Sequence, residues 1–220
     1  MSRDRYRTLA VTPGKDAEPI IAEAAAALRA GHLVVLPTDT VYGLACRADM
    51  EEAVARVYAA KGRDAEKALP ILLPGVHALE RVCHTCDEQT LLLARAFWPG
   101  ALTLVVHKSP AVPAVVTGGR PSVALRVPAC GITCQVLEQS GVLVAVTSAN
   151  TSGEPPAVAV KELSPELLTR VDVVVDGGPC PGGQASTLLD LTQDPPRILR
   201  AGPVSRDQLA AVLRGPVLEN

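Results

Sequence analysis

An apolar run of four residues, Leu33-Val34-Val35-Leu36, stops at Pro37 and opens into Thr38-Asp39-Thr40, with Tyr42-Gly43 behind. A run that short and that apolar reads as a buried strand, and Pro37 ends it because proline has no N–H for a sheet ladder. A buried strand running out into hydroxyls and a carboxylate is how α/β proteins present polar groups to a ligand. Two further polar islands follow, Lys61-Gly62-Arg63 and, after the apolar run Val142–Val146, Thr147-Ser148-Ala149-Asn150. Three islands of this kind point to one site.

Helical and strand patterns alternate around them. Pro19 to Ala30 is alanine-rich and predicts a helix, with Gly31 placed to end it. Met50 to Ala60 predicts a second, acidic in its first turn, with Val54, Val57 and Tyr58 on one face. Further helices are predicted at Glu88–Phe97, Gly131–Ser140, Ser164–Thr169 and Ser205–Leu213. Strands are predicted at Leu33–Leu36, Leu69–Leu73, Leu102–His107, Ser122–Val127, Val142–Val146 and Val171–Val175. Ser186–Leu191 and Arg197–Arg200 read as a closing hairpin. Successive strands with no helix between them imply a mixed parallel and antiparallel sheet. No linker or change of composition divides the chain, so it reads as a single α/β domain over 1–220 with its core at about 20–203.

Composition narrows the function classes. Among 220 residues 48% are apolar but only 2% aromatic, so the core has to be built from Ala, Val and Leu. Scarce rings also argue against a platform that stacks single-stranded bases. The net charge of −2 is not that of a general nucleic-acid binder, although Lys61, Arg63 and Lys67 make a local basic cluster. The start, MSRDRYRTLAV, has no apolar signal region, and no run reaches the roughly 18 apolar residues that span a bilayer. The expectation is a cytoplasmic protein whose six cysteines stay reduced. Cys83-His84-Thr85-Cys86 supplies half of a tetrahedral zinc site, but the second half is missing from the sequence, so no metal ligand is assigned.

Each island has a chemical and a plain structural reading. Lys61 and Arg63 flank a helix-breaking glycine and can meet one polyanion together, or simply face solvent at a helix end. Ser148 and Asn150 suit a phosphate or a ribose, or a cap and turn. Asp39 suits a turn cap more than an acid/base role. There is no GxxxxGK[ST], no GxGxxG and no GxSxG, and no histidine adjoins a strand-end Ser or Cys. Covalent hydrolase chemistry is therefore not expected.

In order, PTDTVYGL (Pro37–Leu44), KGR (Lys61–Arg63), WPGALTLV (Trp98–Val105), SVALRVP (Ser122–Pro128), TSANTSGEPP (Thr147–Pro156), STLLDL (Ser186–Leu191) and ILRAG (Ile198–Gly202) resemble the YrdC/TsaC family, the threonylcarbamoyl-AMP synthases. The resemblance runs from about Ala22 to Gly202. It implies a twisted, open mixed sheet and a nucleotidyltransferase that makes threonylcarbamoyl-AMP and pyrophosphate from L-threonine, bicarbonate and ATP with Mg²⁺. The product serves threonylcarbamoyladenosine modification of tRNA next to the anticodon, with TsaD, TsaB and TsaE as partners. A chain that stops soon after ILRAG resembles the short form without the extra C-terminal domain. By the same resemblance Thr40, Arg126 and Ser186 hold L-threonine. Lys61 and Arg63 are the catalytic pair facing the ATP phosphates, and Ser122, Ser148, Asn150 and Arg200 are further ATP contacts. Lys67 and Leu72 replace an Asn and a His of longer relatives, and Val146 replaces a hydroxyl residue. The competing expectations are a YrdC-like module that binds double-stranded RNA or tRNA without catalysis, and carbamoyl-adenylate chemistry of the hydrogenase-maturation type.

Overall fold

The computed structural model describes residues 6–62 and 67–219. Its elements run β1 (Arg7–Ala10), α1 (Glu18–Arg29), β2 (Val34–Leu36), β3 (Gly43–Arg47), α2 (Glu51–Lys61) and β4 (Ile71–Leu72). Then come α3 (Leu79–Val82), α4 (Glu88–Phe97), β5 (Leu102–His107), α5 (Ala114–Thr117), β6 (Ser122–Arg126), α6 (Gly131–Ser140) and β7 (Val144–Ser148). The last third holds α7 (Pro165–Leu168), β8 (Val173–Asp176), β9 (Thr187–Asp190), β10 (Arg197–Arg200), α8 (Arg206–Leu213) and β11 (Leu218–Glu219).

One mixed sheet unites the strands in the order β1-β8-β2-β3-β7-β4-β6-β5-β9-β10-β11. The expected closing hairpin is present as antiparallel β9 and β10, and β5 pairs antiparallel with β6. Two expectations need correction. Pro37 to Tyr42 is the loop of an antiparallel hairpin, because Gly43–Arg47 turns back as β3 against β2. The glycine and the polar end of GLACR hide that strand from a periodicity reading. The predicted strand Val142–Val146 instead occupies Val144–Ser148, since β3 continues its ladder as far as Gly43 opposite Ser148.

The two faces of this sheet are covered unequally. Val54 and Val57 of α2, Leu93 and Ala94 of α4, and Leu209 of α8 pack on one face, against Leu44, Ile71, Leu104, Leu125 and Leu189. On the other, α1 and α6 cover β1, β8, β2, β3, β7 and β4, through Leu28, Val136 and Leu137 against Val34, Leu36, Leu72 and Val146. No described residue of β5, β6, β9 or β10 joins that second cluster. Half of one face is thus left open. Each fully buried leucine contributes about 1.5–3 kcal/mol, and, Tyr42 apart, the largest fully buried side chains are leucines and Ile71. A core of short aliphatic side chains is what the aromatic-poor sequence required.

Burial also fixes the state of a thiol. Cys46 lies wholly inside the core on β3, and burial pushes its thiol up to about 12. The protonated form is the one the fold prefers. Its contribution is present below the unfolded thiol value of about 8.5 and is lost as pH rises toward the folded one. Urea denaturation from about pH 8 to about pH 11 should show stability falling, and Cys46→Ala should flatten that alkaline slope.

Candidate functional site

The loop from Pro37 to Tyr42 is organised by its own hydroxyls. Thr38 Oγ1 accepts the N–H groups of Thr40 and Val41, each at 3.1 Å, and donates to the Val41 carbonyl at 2.6 Å. The Thr38 and Thr40 hydroxyl oxygens lie 3.0 Å apart. The Thr40 oxygen then accepts Nη1 of Arg126 at 2.9 Å. Beside it, Asp39 Oδ1 takes Arg126 Nη2 at 2.6 Å and the Ala129 N–H at 3.0 Å. The carbonyl of Gly100 takes Nε at 2.8 Å.

This ion pair is nearly out of water, with the Arg126 side chain 8% and the Asp39 side chain 13% exposed. Burial pulls the proton affinity of Arg126 down and the Asp39 carboxylate opposes that pull. Of the five guanidinium N–H groups, three have partners among the described residues. One N–H on each terminal nitrogen is left.

A second arginine joins from β10. Arg200 donates through Nε and Nη2 to the Ser186 carbonyl, at 3.0 and 2.8 Å, and reaches Ser186 Oγ at 3.2 Å. Ser186 Oγ also shares a 2.7 Å hydrogen bond with Thr103 of β5. Burial first, and the charge of Arg126 second, lower the proton affinity of Arg200. Backbone fit maintains this corner: a Cβ on Gly202 would come within 2.6 Å of the Ser186 carbonyl carbon and 2.7 Å of the Ala185 oxygen. Gly182 is similarly packed: a Cβ there would lie 2.6 Å from the Asp39 carbonyl oxygen.

The third island is held by the second. Lys61 ends α2 and is only 2% exposed, and Gly62 closes the helix in the left-handed region at φ 58°. Lys61 Nζ donates to the carbonyls of Ser148 and Asn150, at 2.5 and 2.6 Å, and to Asn150 Oδ1 at 3.1 Å. The Ser152 N–H returns a bond to the Lys61 carbonyl at 3.0 Å. The ammonium therefore gathers the oxygens of the 148–150 turn instead of facing solvent. Arg63 lies outside the described residues.

Register relates the two clusters. Ile71 of β4 pairs with both Ala145 and Leu125, and these three belong to the fully covered face. Alternation then puts Ser148, Ser122 and Arg126 together on the half-open face. Ser122 and Ser148 each lie three residues from that row in the same direction, two strand spacings or about 10 Å apart. Ser122 stands four residues before Arg126, about 13 Å along β6. Ala124 and Val105, opposite one another and half buried, floor the space between.

The residues expected at the site thus fall into two groups. Thr40, Arg126, Ser186 and Arg200 form one; Lys61, Ser148 and Asn150 form the other, with Ser122 at its level. Arg200, expected beside the nucleotide contacts, stands with Ser186. Asp39, Thr103 and Gly100 had no assigned task in the sequence, and only the acidic Asp39 within PTDT carried a signal. Leu72, where longer relatives have a polar residue, packs under α1 and α6, and the Lys67 carbonyl accepts the Tyr58 hydroxyl at 3.0 Å. Among the described residues no three His, Cys, Asp or Glu converge to hold a metal, and none of the helices is long and apolar enough to cross a membrane.

The model for the family described as telomere recombination, spanning the Sua5, YciO and YrdC proteins, matches residues 26–202. The Pyrococcus abyssi threonylcarbamoyl-AMP synthase is 40% identical over 190 residues, 86% of this chain and 56% of that protein. A Mycobacterium leprae protein that bears the same name provisionally is 44% identical over 193 residues, 88% of this chain and 87% of its own. The crystal structure of P. abyssi Sua5 complexed with L-threonine superposes with a TM-score of 0.92 at 37% identity, covering 97% of this chain and 62% of that one. The chain spans just over half the length of the first of these relatives.

Replacing Lys61 by Met keeps the aliphatic stem and removes the ammonium from three oxygens. Urea denaturation should show a loss of about 2–3 kcal/mol, and hydrogen exchange at Ser152 should accelerate.

Proposed function

The chain belongs to the Sua5/YciO/YrdC family, and from that premise we propose that it is a threonylcarbamoyl-AMP synthase. The reaction joins L-threonine, bicarbonate and ATP into threonylcarbamoyl-AMP, pyrophosphate and water. One observation carries this reading: an arginine pair with hydroxyls and the serine level of a lysine-held turn share one half-open sheet face, about 13 Å apart along β6 and about 10 Å across the strands. A small amino acid and a nucleoside triphosphate are ligands of the sizes and charges that such a pair of clusters fits.

At the first cluster, the two remaining N–H groups of Arg126 take the α-carboxylate of threonine. Thr40 and Ser186 orient the rest of the molecule through their hydroxyls. The free amine of threonine adds to bicarbonate-derived CO₂, and the new carbamate oxygen attacks the α-phosphorus of ATP as pyrophosphate leaves. Arg200, next to Ser186, stabilises charge gathering at the α-phosphoryl group. At the second cluster, Lys61 holds the turn whose Ser148 and Asn150 meet the triphosphate, with Ser122 at the same level and Arg63 as the adjoining cation. Bound with ATP, Mg²⁺ would supply further positive charge at the phosphates. The Ser148 hydroxyl is a hard oxygen donor compatible with such an ion, the carbonyl and amide oxygens of the turn being held by Lys61. Positioning and electrostatics are enough for this chemistry, and no side-chain nucleophile is needed. The product supports threonylcarbamoyladenosine formation on tRNA by TsaD, TsaB and TsaE-type partners.

Pyrophosphate release measured with ATP, Mg²⁺, bicarbonate and L-threonine is expected to require both bicarbonate and L-threonine. Release that ignores L-threonine, or none at all with RNA binding retained, would reject the synthase in favour of a binding module.

A further inference from the structure

Among the described residues Asp39 is the acidic group bonded into the amino-acid cluster, and the proposed reaction gives it no task. Its Oδ1 is fixed twice, by Arg126 Nη2 at 2.6 Å and by the Ala129 N–H at 3.0 Å. Ala129 leads into α6, so the carboxylate is referenced to the helix and the loop at once. Arg126 is in turn gripped at Nε by Gly100 and at Nη1 by Thr40. Three bonds, two from the 37–42 loop and one from Gly100 before β5, fix the planar guanidinium against turning. One N–H remains on each of its two terminal nitrogens, the end a carboxylate meets with its two oxygens.

A negative group beside a carboxylate-binding arginine also repels the ligand it helps to hold. That cost is tolerated where the orientation it enforces matters more. We propose that Asp39 is a positioning residue, which sets the plane of the Arg126 guanidinium so that its free N–H pair meets the α-carboxylate of the amino-acid substrate. The inference rests on the reading that Arg126 holds that carboxylate.

Charge and geometry make opposite predictions, which separates them. Asp39→Asn keeps an oxygen acceptor for Nη2 and for Ala129, and removes the repulsion. Its KM for L-threonine should stay within about threefold of the wild type. Asp39→Ala removes the acceptor, and losing one charge-assisted bond corresponds to a KM about ten- to a hundredfold higher. At saturating L-threonine its kcat should change less than about threefold, and its KM for ATP not at all. L-Threonine amide, which lacks the carboxylate, should inhibit wild type and Asp39→Ala equally. In an Arg126→Ala background, Asp39→Ala should add no further loss. Thermal melting verifies that each variant folds. Should Asp39→Ala fail to fold, Asp39→Glu shifts the carboxylate by one methylene and should raise the threonine KM in the same way.

An unchanged threonine KM in the Ala or Glu variant overturns the inference, as does an equal penalty on ATP or on the amide. Wild-type pyrophosphate release that does not depend on threonine overturns the proposed function and this inference with it. Threonine-dependent release in the wild type together with an unaffected variant overturns the inference alone.

Discussion

Arg126 carries a permanent charge to a place that water barely reaches, and the chain has to compensate it with its own atoms. An uncompensated ion in such a position costs several kcal/mol. The compensation comes from far along the sequence: a carboxylate and a hydroxyl from the β2–β3 loop, and a carbonyl before β5. Much of the local architecture follows from bringing them in. Thr38 spends its hydroxyl on shaping the loop, and Thr133 of α6 donates to the Pro37 carbonyl at 2.5 Å, holding the loop's first residue. Gly182 allows a second chain segment to lie against Asp39, where its neighbour Gly183 donates to the Thr40 carbonyl at 2.9 Å.

The second constraint is the unequal covering of the sheet. Helices α1 and α6 shield the half nearest β8, leaving a face on which polar side chains of β5, β6 and β9 can meet a ligand. Lys61 closes the far side of that face. Its buried ammonium converts the carbonyls of Ser148 and Asn150 into a fixed turn, and Ala149 donates to the Tyr42 carbonyl at 2.8 Å. Tyr42 itself is fully buried and donates to the Gly178 carbonyl at 2.7 Å. PTDTVYGL is therefore braced at both ends, by Arg126 and by the 148–150 turn.

Long, strongly periodic segments were legible in the sequence. Glu88–Phe97, Leu102–His107 and Gly131–Ser140 match their elements residue for residue, because a helix or strand that buries one face writes its period into the chain. β3 was not legible. GLACR has no alternation, being buried on nearly its whole length, and its pairing is imposed by β2 and β7. The site divides in the same way. Residue types within PTDT, SVALR and STLLDL announced a polar site, while the partnership of Asp39 with Arg126 spans 87 positions and leaves no local trace.

The sequence by itself determined an α/β domain with a mixed sheet, an aliphatic core and the family to which the chain belongs, since each follows from local period, composition or motif. Only the tertiary structure decided that Thr40 accepts from Arg126, that Lys61 is turned inward onto the 148–150 turn, and that Arg200 stands with Ser186. The physical reason is that hydrogen-bond partners of buried charges are chosen by proximity in space, and the sheet register sets that proximity. The opening island kept its importance and changed its form, from the free end of a strand to a hairpin loop whose polar groups are already engaged with an arginine.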